Sequence, residues 1–191
     1  GFVSRNDVIA TTPGVFWYYR GKHLPLPKLI RAFEPGAWFE MYHQASTGIL
    51  TERTVSANPV WFNFQKGGFI GYIINHNYQQ LTETFSPLGI DIIPGSYDYI
   101  NHQVYYSTDP SQKISGGFDL NFGSYYNGKL NAGNFHFQLA PSPHFYLNVQ
   151  YNRNQFKQVG TPAISKNVDL YSLSGRIALN PRMQLIGFYQ Q

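Results

Sequence analysis

Six histidines, at 23, 43, 76, 102, 136 and 144, are the first side chains to weigh for chemistry. No two stand at an HxH, HExxH or other metal-ligand spacing, and no cysteine accompanies them. Each reads as a polar or interfacial residue, with His136 on a strand and His144 at a turn. The carboxylates Glu34, Glu40, Glu52, Glu83, Asp91, Asp98, Asp109, Asp119 and Asp169 are dispersed along the chain. A glycosidase pair would have to be assembled from them by folding alone. Serine, histidine and asparagine, the residue types of a hydrolase set in a barrel wall, are all present, yet no stretch resembles a nucleophile elbow. Glycines such as those of "SGGF" (115–118) follow no phosphate-loop pattern and read as strand bends or points of close strand approach. The expectation is a protein without catalytic, metal or cofactor residues.

The elements that carry these residues are strands. In "NFHFQLAPSPHFYLNVQYN" (134–152), Phe135, Phe137 and Leu139 alternate with Asn134, His136 and Gln138. After a Pro-rich turn, Phe145, Leu147, Val149 and Tyr151 alternate with Tyr146, Asn148, Gln150 and Asn152. A soluble sheet packs such an apolar face on a core and wets the polar one. A membrane barrel turns the apolar face to lipid and lines its interior with the polar one.

Composition favours the barrel. Of 191 residues only 13% are charged, about half the share of an average soluble domain. Aromatic residues reach 17%, and eighteen Gly and twelve Pro supply turns. Mean hydropathy is only −0.32. A transmembrane barrel needs just every second strand residue to be apolar, and it gathers Tyr and Trp at its interfaces. The net charge of +4 is scattered, often near turns, and forms no basic stripe for nucleic acid. No run approaches the roughly 20 apolar residues of a membrane helix. No signal peptide is visible from Gly1, and Gly1 and Gln191 both read as cuts through a longer chain, so residues 1–191 are expected to be one segment of a larger barrel.

Turn signals divide the chain into about ten segments of period two: 8–20, 36–46, 51–65, 69–82, 97–108, 114–125, 129–140, 144–157, 167–179 and 182–191. At about 10–14 residues they exceed the ~5–6 typical of soluble strands. The nearest helical candidate is "LPKLIRAF" (26–33), with helix expected only over about 24–33. Tight, Pro-containing connections at 109–113, 141–144 and 180–182 contrast with long ones at 83–96 and 158–166, as in a barrel with short periplasmic turns and longer extracellular loops. The loop over 83–99 is too apolar for free solvation. It is expected to fold onto the rim or mouth of a barrel, or to extend a strand against its neighbour.

The alternation names a candidate interior face: Asn75, Asn77, Asp119, Asn121, His136, Gln138, Asn148, Gln150, Ser172, Ser174 and Arg176. Small and amide side chains dominate it, which predicts a neutral, hydrogen-bonding lumen. Aromatics near segment ends, Tyr18, Tyr19, Tyr105, Tyr106, Tyr125, Tyr126 and Tyr146, are the candidate interfacial belts.

Four stretches carry a resemblance: "GFVSRND" (1–7), "IPGSYDY" (93–99), "YYSTDPSQKISGGFDLNFGSYYNG" (105–128) and "PSPHFYLNVQYN" (141–152). In this order and spacing they resemble the C-terminal outer-membrane β-barrel domain, of unknown function, of bacterial envelope proteins whose N-terminal part is a family 9 carbohydrate-binding-module-like domain. The resemblance spans most of the chain and implies a Gram-negative outer-membrane protein with a many-stranded barrel. That family lends no activity and no catalytic residues.

The expected fold is therefore all-β, an antiparallel up-and-down transmembrane barrel or an incomplete segment of one, with about ten long strands. The expected function is a non-catalytic outer-membrane segment serving transport, or envelope anchoring and secretion. Its partners would be the outer-membrane bilayer and the N-terminal module of the same full-length protein, with no nucleic acid and no cofactor. The other reading is a soluble, lectin-like all-β carbohydrate-binding module, with Trp17, Trp38 or Trp61 exposed in a groove.

Overall fold

The computed structural model describes residues 7–180 and 182–191; Gly1–Asn6, most of the first resemblance stretch, lie outside the described residues. The chain forms a single sheet of thirteen antiparallel strands. The first five are β1 (Val8–Thr11), β2 (Gly14–Phe16), β3 (Tyr19–Arg20), β4 (Ile30–Phe33) and β5 (Gly36–Gln44). The middle four are β6 (Leu50–Phe64), β7 (Phe69–Leu81), β8 (Gly95–Ser107) and β9 (Ile114–Tyr125). The last four are β10 (Gly128–Ser142), β11 (Phe145–Val159), β12 (Ile164–Asn180) and β13 (Met183–Gln190). From β5 to β13 each long strand pairs with its chain neighbours, an up-and-down meander. The sheet does not close, because β1 at one edge and β13 at the other do not pair with each other. This is the all-β, antiparallel architecture the alternation predicted, in the form of an incomplete barrel.

Thirteen strands reduce to ten ribbons. β1 and β2 both pair with β5, and β3 pairs with β4, so residues 8–20 run as one broken ribbon. β4 and β5 both pair with β6, making residues 30–44 a second. Two of the three breaks fall at Pro13 and Pro35, which cannot donate to a ladder. Their carbonyls still accept, from the N–H of Phe39 and of Trp17 respectively, at 2.9 Å. The helix expected over 24–33 does not form. Residues 21–29 are turns and Ile30–Phe33 is strand, since Ile30 and Ala32 bury themselves more fully by pairing with β6 than a two-turn helix between prolines would allow. Among the described residues the one helical element is a 3-10 turn at Pro87–Gly89.

The strands are long, fifteen residues in β6, β10 and β11 and seventeen in β12. Alternating side chains divide the sheet into two faces, here called inner and outer, the inner being the one the β7–β8 loop covers. On the outer face a row of rings crosses the strands: Phe118 meets Phe135 at 6.3 Å, Phe135 stacks on Tyr151 at 6.1 Å and Tyr151 on Tyr171 at 4.7 Å. No second layer covers that row among the described residues. Phe135, Phe137, Val149 and Leu173 stay 39–44% exposed.

Buried apolar side chains gather instead under the loop between β7 and β8. Ile90 and Ile92 are fully buried against Tyr126, Phe156 and Val159, with Tyr97, Tyr99, Tyr125 and Leu130 packed around them. Thr161 N–H donates to the Asp91 carbonyl at 2.8 Å and Lys166 Nζ to the Leu88 carbonyl, also at 2.8 Å. The loop thus runs from the β7–β8 hairpin to the β11–β12 hairpin. It folds onto the inner face near the end of the strands that bears it.

Candidate functional site: the inner face

Pairing register puts all eleven candidate interior residues on one face. Asn75 stands opposite Asn101, which in turn stands opposite Gly123. Asp119 stands opposite Asn134, His136 opposite Gln150, Gln138 opposite Asn148, and Asn148 opposite Ser174. Ser172 and Arg176 follow on β12 with the same parity, opposite Gln150 and Tyr146. Amides on this face satisfy one another across strands. Thr54 Oγ1 donates to Asn77 Oδ1 at 3.2 Å, Asn77 Nδ2 to Asn101 Oδ1 at 2.9 Å, and Asn101 Nδ2 to Asn121 Oδ1 at 2.9 Å. Beside this ladder the buried Ser56 hydroxyl donates to Asn75 Oδ1 at 2.7 Å. Each amide offers both a donor and an acceptor, so one bond leaves capacity for another. The result is a hydrogen-bonding amide ladder spanning β6 to β9, with Glu52 and Asp119 on the same face.

The seven candidate interfacial tyrosines divide between the two faces of the sheet. Tyr19 stacks on Phe33, and Tyr106 meets Phe64 and Phe118; both lie on the outer face. Tyr105 lies on the inner face, opposite Gly71 and beside Trp61, and Tyr146 shares that face opposite Arg176. Tyr125 and Tyr126 pack beneath the loop, and Tyr18 lines a cleft described below. Adjacent residues of a strand point to opposite faces, which separates Tyr105 from Tyr106, whereas Tyr126 lies beyond the end of its strand and joins Tyr125 beneath the loop.

Tyr126 sits in the two-residue turn between β9 and β10 with φ of +48°, a conformation rare for a bulky residue. Ring contacts with Tyr125 at 4.8 Å and Tyr97 at 5.1 Å hold it there, and its hydroxyl donates to Gln79 Oε1. Burial pushes its phenol well above the usual tyrosine range. At the opposite end of the sheet, the Ser111 N–H donates to Asp109 in the β8–β9 turn at 2.9 Å and holds that carboxyl below its usual range.

The histidines disperse. His102 lies on the outer face, hydrogen-bonded to the Tyr72 hydroxyl at 2.8 Å and stacked on Phe122. His76, on the same face, contacts Asp98. His136 is on the inner face over Gly117, and His144 contacts the Ala178 carbonyl at a turn. Among the described residues no group of three or more His, Cys, Asp or Glu side chains converges.

One feature of the inner face escaped the alternation. The register of β6 against β7 shifts between Ala57 and Val60, where Asn58 and Pro59 form a bulge. Without it Asn58 and Trp61, three apart, would point to opposite faces. The extra residue swings Trp61 to the inner face, opposite Gly71. A Cβ on Gly71 would come within 2.3 Å of the Trp61 ring, so only glycine admits it. The proline in "ANPVW" (57–61) was the available signal, since a proline inside a strand pattern marks an edge or a bulge.

Fold and faces together define a class: an open, antiparallel, up-and-down β-sheet with one polar and one apolar face, the form of a barrel segment. No family model matches the chain, and neither a curated protein nor a solved structure matches it.

Proposed function

We propose that the chain is a segment of a bacterial outer-membrane β-barrel, non-catalytic, whose inner face lines an aqueous interior used for transport, or for anchoring or secreting a module of the same protein. The observation that carries this reading is the layout of the outer face. On β7 it reads Ile70, Tyr72 and Ile74, then His76; on β10 Leu139, Phe137 and Phe135, then Gly133 and Asn131; on β11 Leu147, Val149 and Tyr151, then Arg153. Apolar positions run along each strand and give way to polar ones toward the end that bears the β7–β8 loop. There Arg53 pairs with Asp98 at 3.5 Å and Arg153 with Asp169 at 3.9 Å. From Phe145 to Tyr151 the apolar run spans on the order of 20 Å at ~3.3 Å per residue, comparable to the ~25 Å apolar band of outer-membrane barrels. A soluble lectin-like module would bury this stripe beneath a second layer, and the exposure of Phe135, Phe137 and Val149 argues against that.

The absence of native cysteine makes the test direct. Single cysteines at Phe137, Val149, Gln138 and Gln150, carrying an environment-sensitive fluorophore, are compared with the protein assembled in phosphatidylcholine vesicles. Labels at Phe137 and Val149 are expected to be quenched by brominated lipid, and those at Gln138 and Gln150 by aqueous iodide. Quenching that ignores the alternation would reject the membrane reading.

A further inference from the structure

A cleft of about 560 Å³ opens on the inner face between Trp38 of β5 and Trp61 of β6. Phe16 and Tyr18 form its outer walls, and Glu34 and Asn58 bring the polar groups. Three pieces of local structure assemble it. The Asn58–Pro59 bulge turns Trp61 inward, Pro35 kinks the second ribbon beside Glu34, and β2 lays Phe16 over Gly36, stacked on Trp38 at 5.8 Å. Trp61 is braced from the other side by Phe69 at 5.0 Å and Tyr105 at 6.0 Å.

Asn58 is the telling residue. Only 5% exposed, it donates through Nδ2 to the Glu34 carbonyl at 2.8 Å, and that bond fixes which end of the amide is oxygen. Its Oδ1 is buried and has no hydrogen-bond partner among the described residues. A buried acceptor left unpaired is costly, and an incoming donor in the cleft would satisfy it. Oδ1 shares the space above Gly36 with the Phe16 ring, since a Cβ on Gly36 would come within 3 Å of both. Phe16 is half exposed, on a three-residue strand, and is the wall best able to yield.

We infer that this cleft binds a sugar ring of a neutral oligosaccharide, its apolar C–H face on Trp38 or Trp61 and its hydroxyls donating to Asn58 Oδ1 and the Glu34 carboxylate. Sugars present flat apolar faces edged by hydroxyl donors, and the cleft offers flat aromatic faces edged by acceptors. A small organic ammonium would also meet aromatic rings and a carboxylate. The side chains beside the cleft favour the sugar, because Ser56 stands opposite Trp38 and Asn75 opposite Asn101 of the amide ladder. This inference rests on the inner face being in contact with water.

The test titrates the detergent-folded chain with maltohexaose, cellohexaose, xylohexaose, chitohexaose and choline, by calorimetry and tryptophan emission. At least one neutral hexaose is expected to bind and to shift emission in a Trp17→Phe background, shielding Trp38 and Trp61 from acrylamide. Trp38→Ala and Asn58→Ala should each lower the affinity about tenfold or more, while Phe137→Ala on the outer face leaves it unchanged. The shielding measurement needs no cleft variant, so it stands even if an alanine variant misfolds. Binding by none of the hexaoses, undiminished affinity in both cleft variants, or choline binding in their place would each overturn the sugar site. Vesicle insertion is read separately by lipid quenching, so a chain that inserts without binding sugar removes this site and leaves the membrane reading standing.

Discussion

Leu147 and Asn148 follow one another on β11 and meet opposite surroundings. Leu147 stands opposite Leu139 and Gly175 on the outer face, and Asn148 opposite Gln138 and Ser174 on the inner. Arginine at a lipid-facing site near the bilayer midplane costs about 2–4 kcal/mol, whereas an interior site keeps its water. Leu147→Arg is therefore expected to destabilise the folded protein in lipid by roughly that amount, and Asn148→Arg by clearly less, read from denaturant unfolding in vesicles. Equal costs would reject the assignment of faces. The same alternation explains why eleven polar residues share a face while seven tyrosines do not. The polar residues stand at even spacings along each strand, whereas six of the tyrosines stand in adjacent pairs.

At the scale of elements, the pairing register of β6 decides the surroundings of the strand beyond its bulge. Asn58 and Pro59 together oppose one residue of β7, so Trp61 faces inward and Val60 and Phe62 outward. Deleting Pro59 alone removes the extra residue and leaves Val60 opposite Tyr72 and Trp61 opposite Gly71, so the faces persist. Deleting Asn58 and Pro59 together shifts the register by one residue and should exchange them. In a protein whose only tryptophan is Trp61, brominated lipid is expected to leave emission unchanged in the parent and the single deletion, and to quench it in the double deletion. Quenching in the single deletion would reject this account of the bulge. The Asp109 turn has its own pH dependence. A carboxyl held below its usual pKa stabilises the folded state above the unfolded value, near 3.9, and loses that contribution as pH falls through the lower folded one.

For the whole molecule, the β7–β8 loop joins distant strands. Ile90 and Ile92 are, with Val159, among the largest fully buried side chains of the described residues, on the inner face near one end of the strands. In a closed barrel such a loop narrows the mouth. Deleting 86–94 from the full-length protein is expected to raise solute flux into vesicles while leaving assembly intact. Unchanged flux with lost assembly would make the loop a brace that holds the hairpins of β7–β8 and β11–β12 together. The open edges at β1 and β13 belong to the same scale. Unpaired N–H and C=O groups on an eight-residue strand as apolar as "MQLIGFYQ" invite a further strand.

The sequence by itself determined the strands, their approximate ends and the membership of each face. A period of two is written in neighbouring residues, and β9 begins and ends where its alternation does, at Ile114 and Tyr125. Glycine and proline marked the turns for the same local reason. Tertiary structure alone decided three things. It made Ile30–Phe33 a strand, because a partner in β6 outweighed a short amphipathic pattern. It placed Ile90 and Ile92 on Tyr126, Phe156 and Val159, contacts between residues 34 to 69 positions apart that no local period encodes. And it brought Trp38, Trp61 and Asn58 around one cleft, through a one-residue shift in pairing that reverses faces without changing composition.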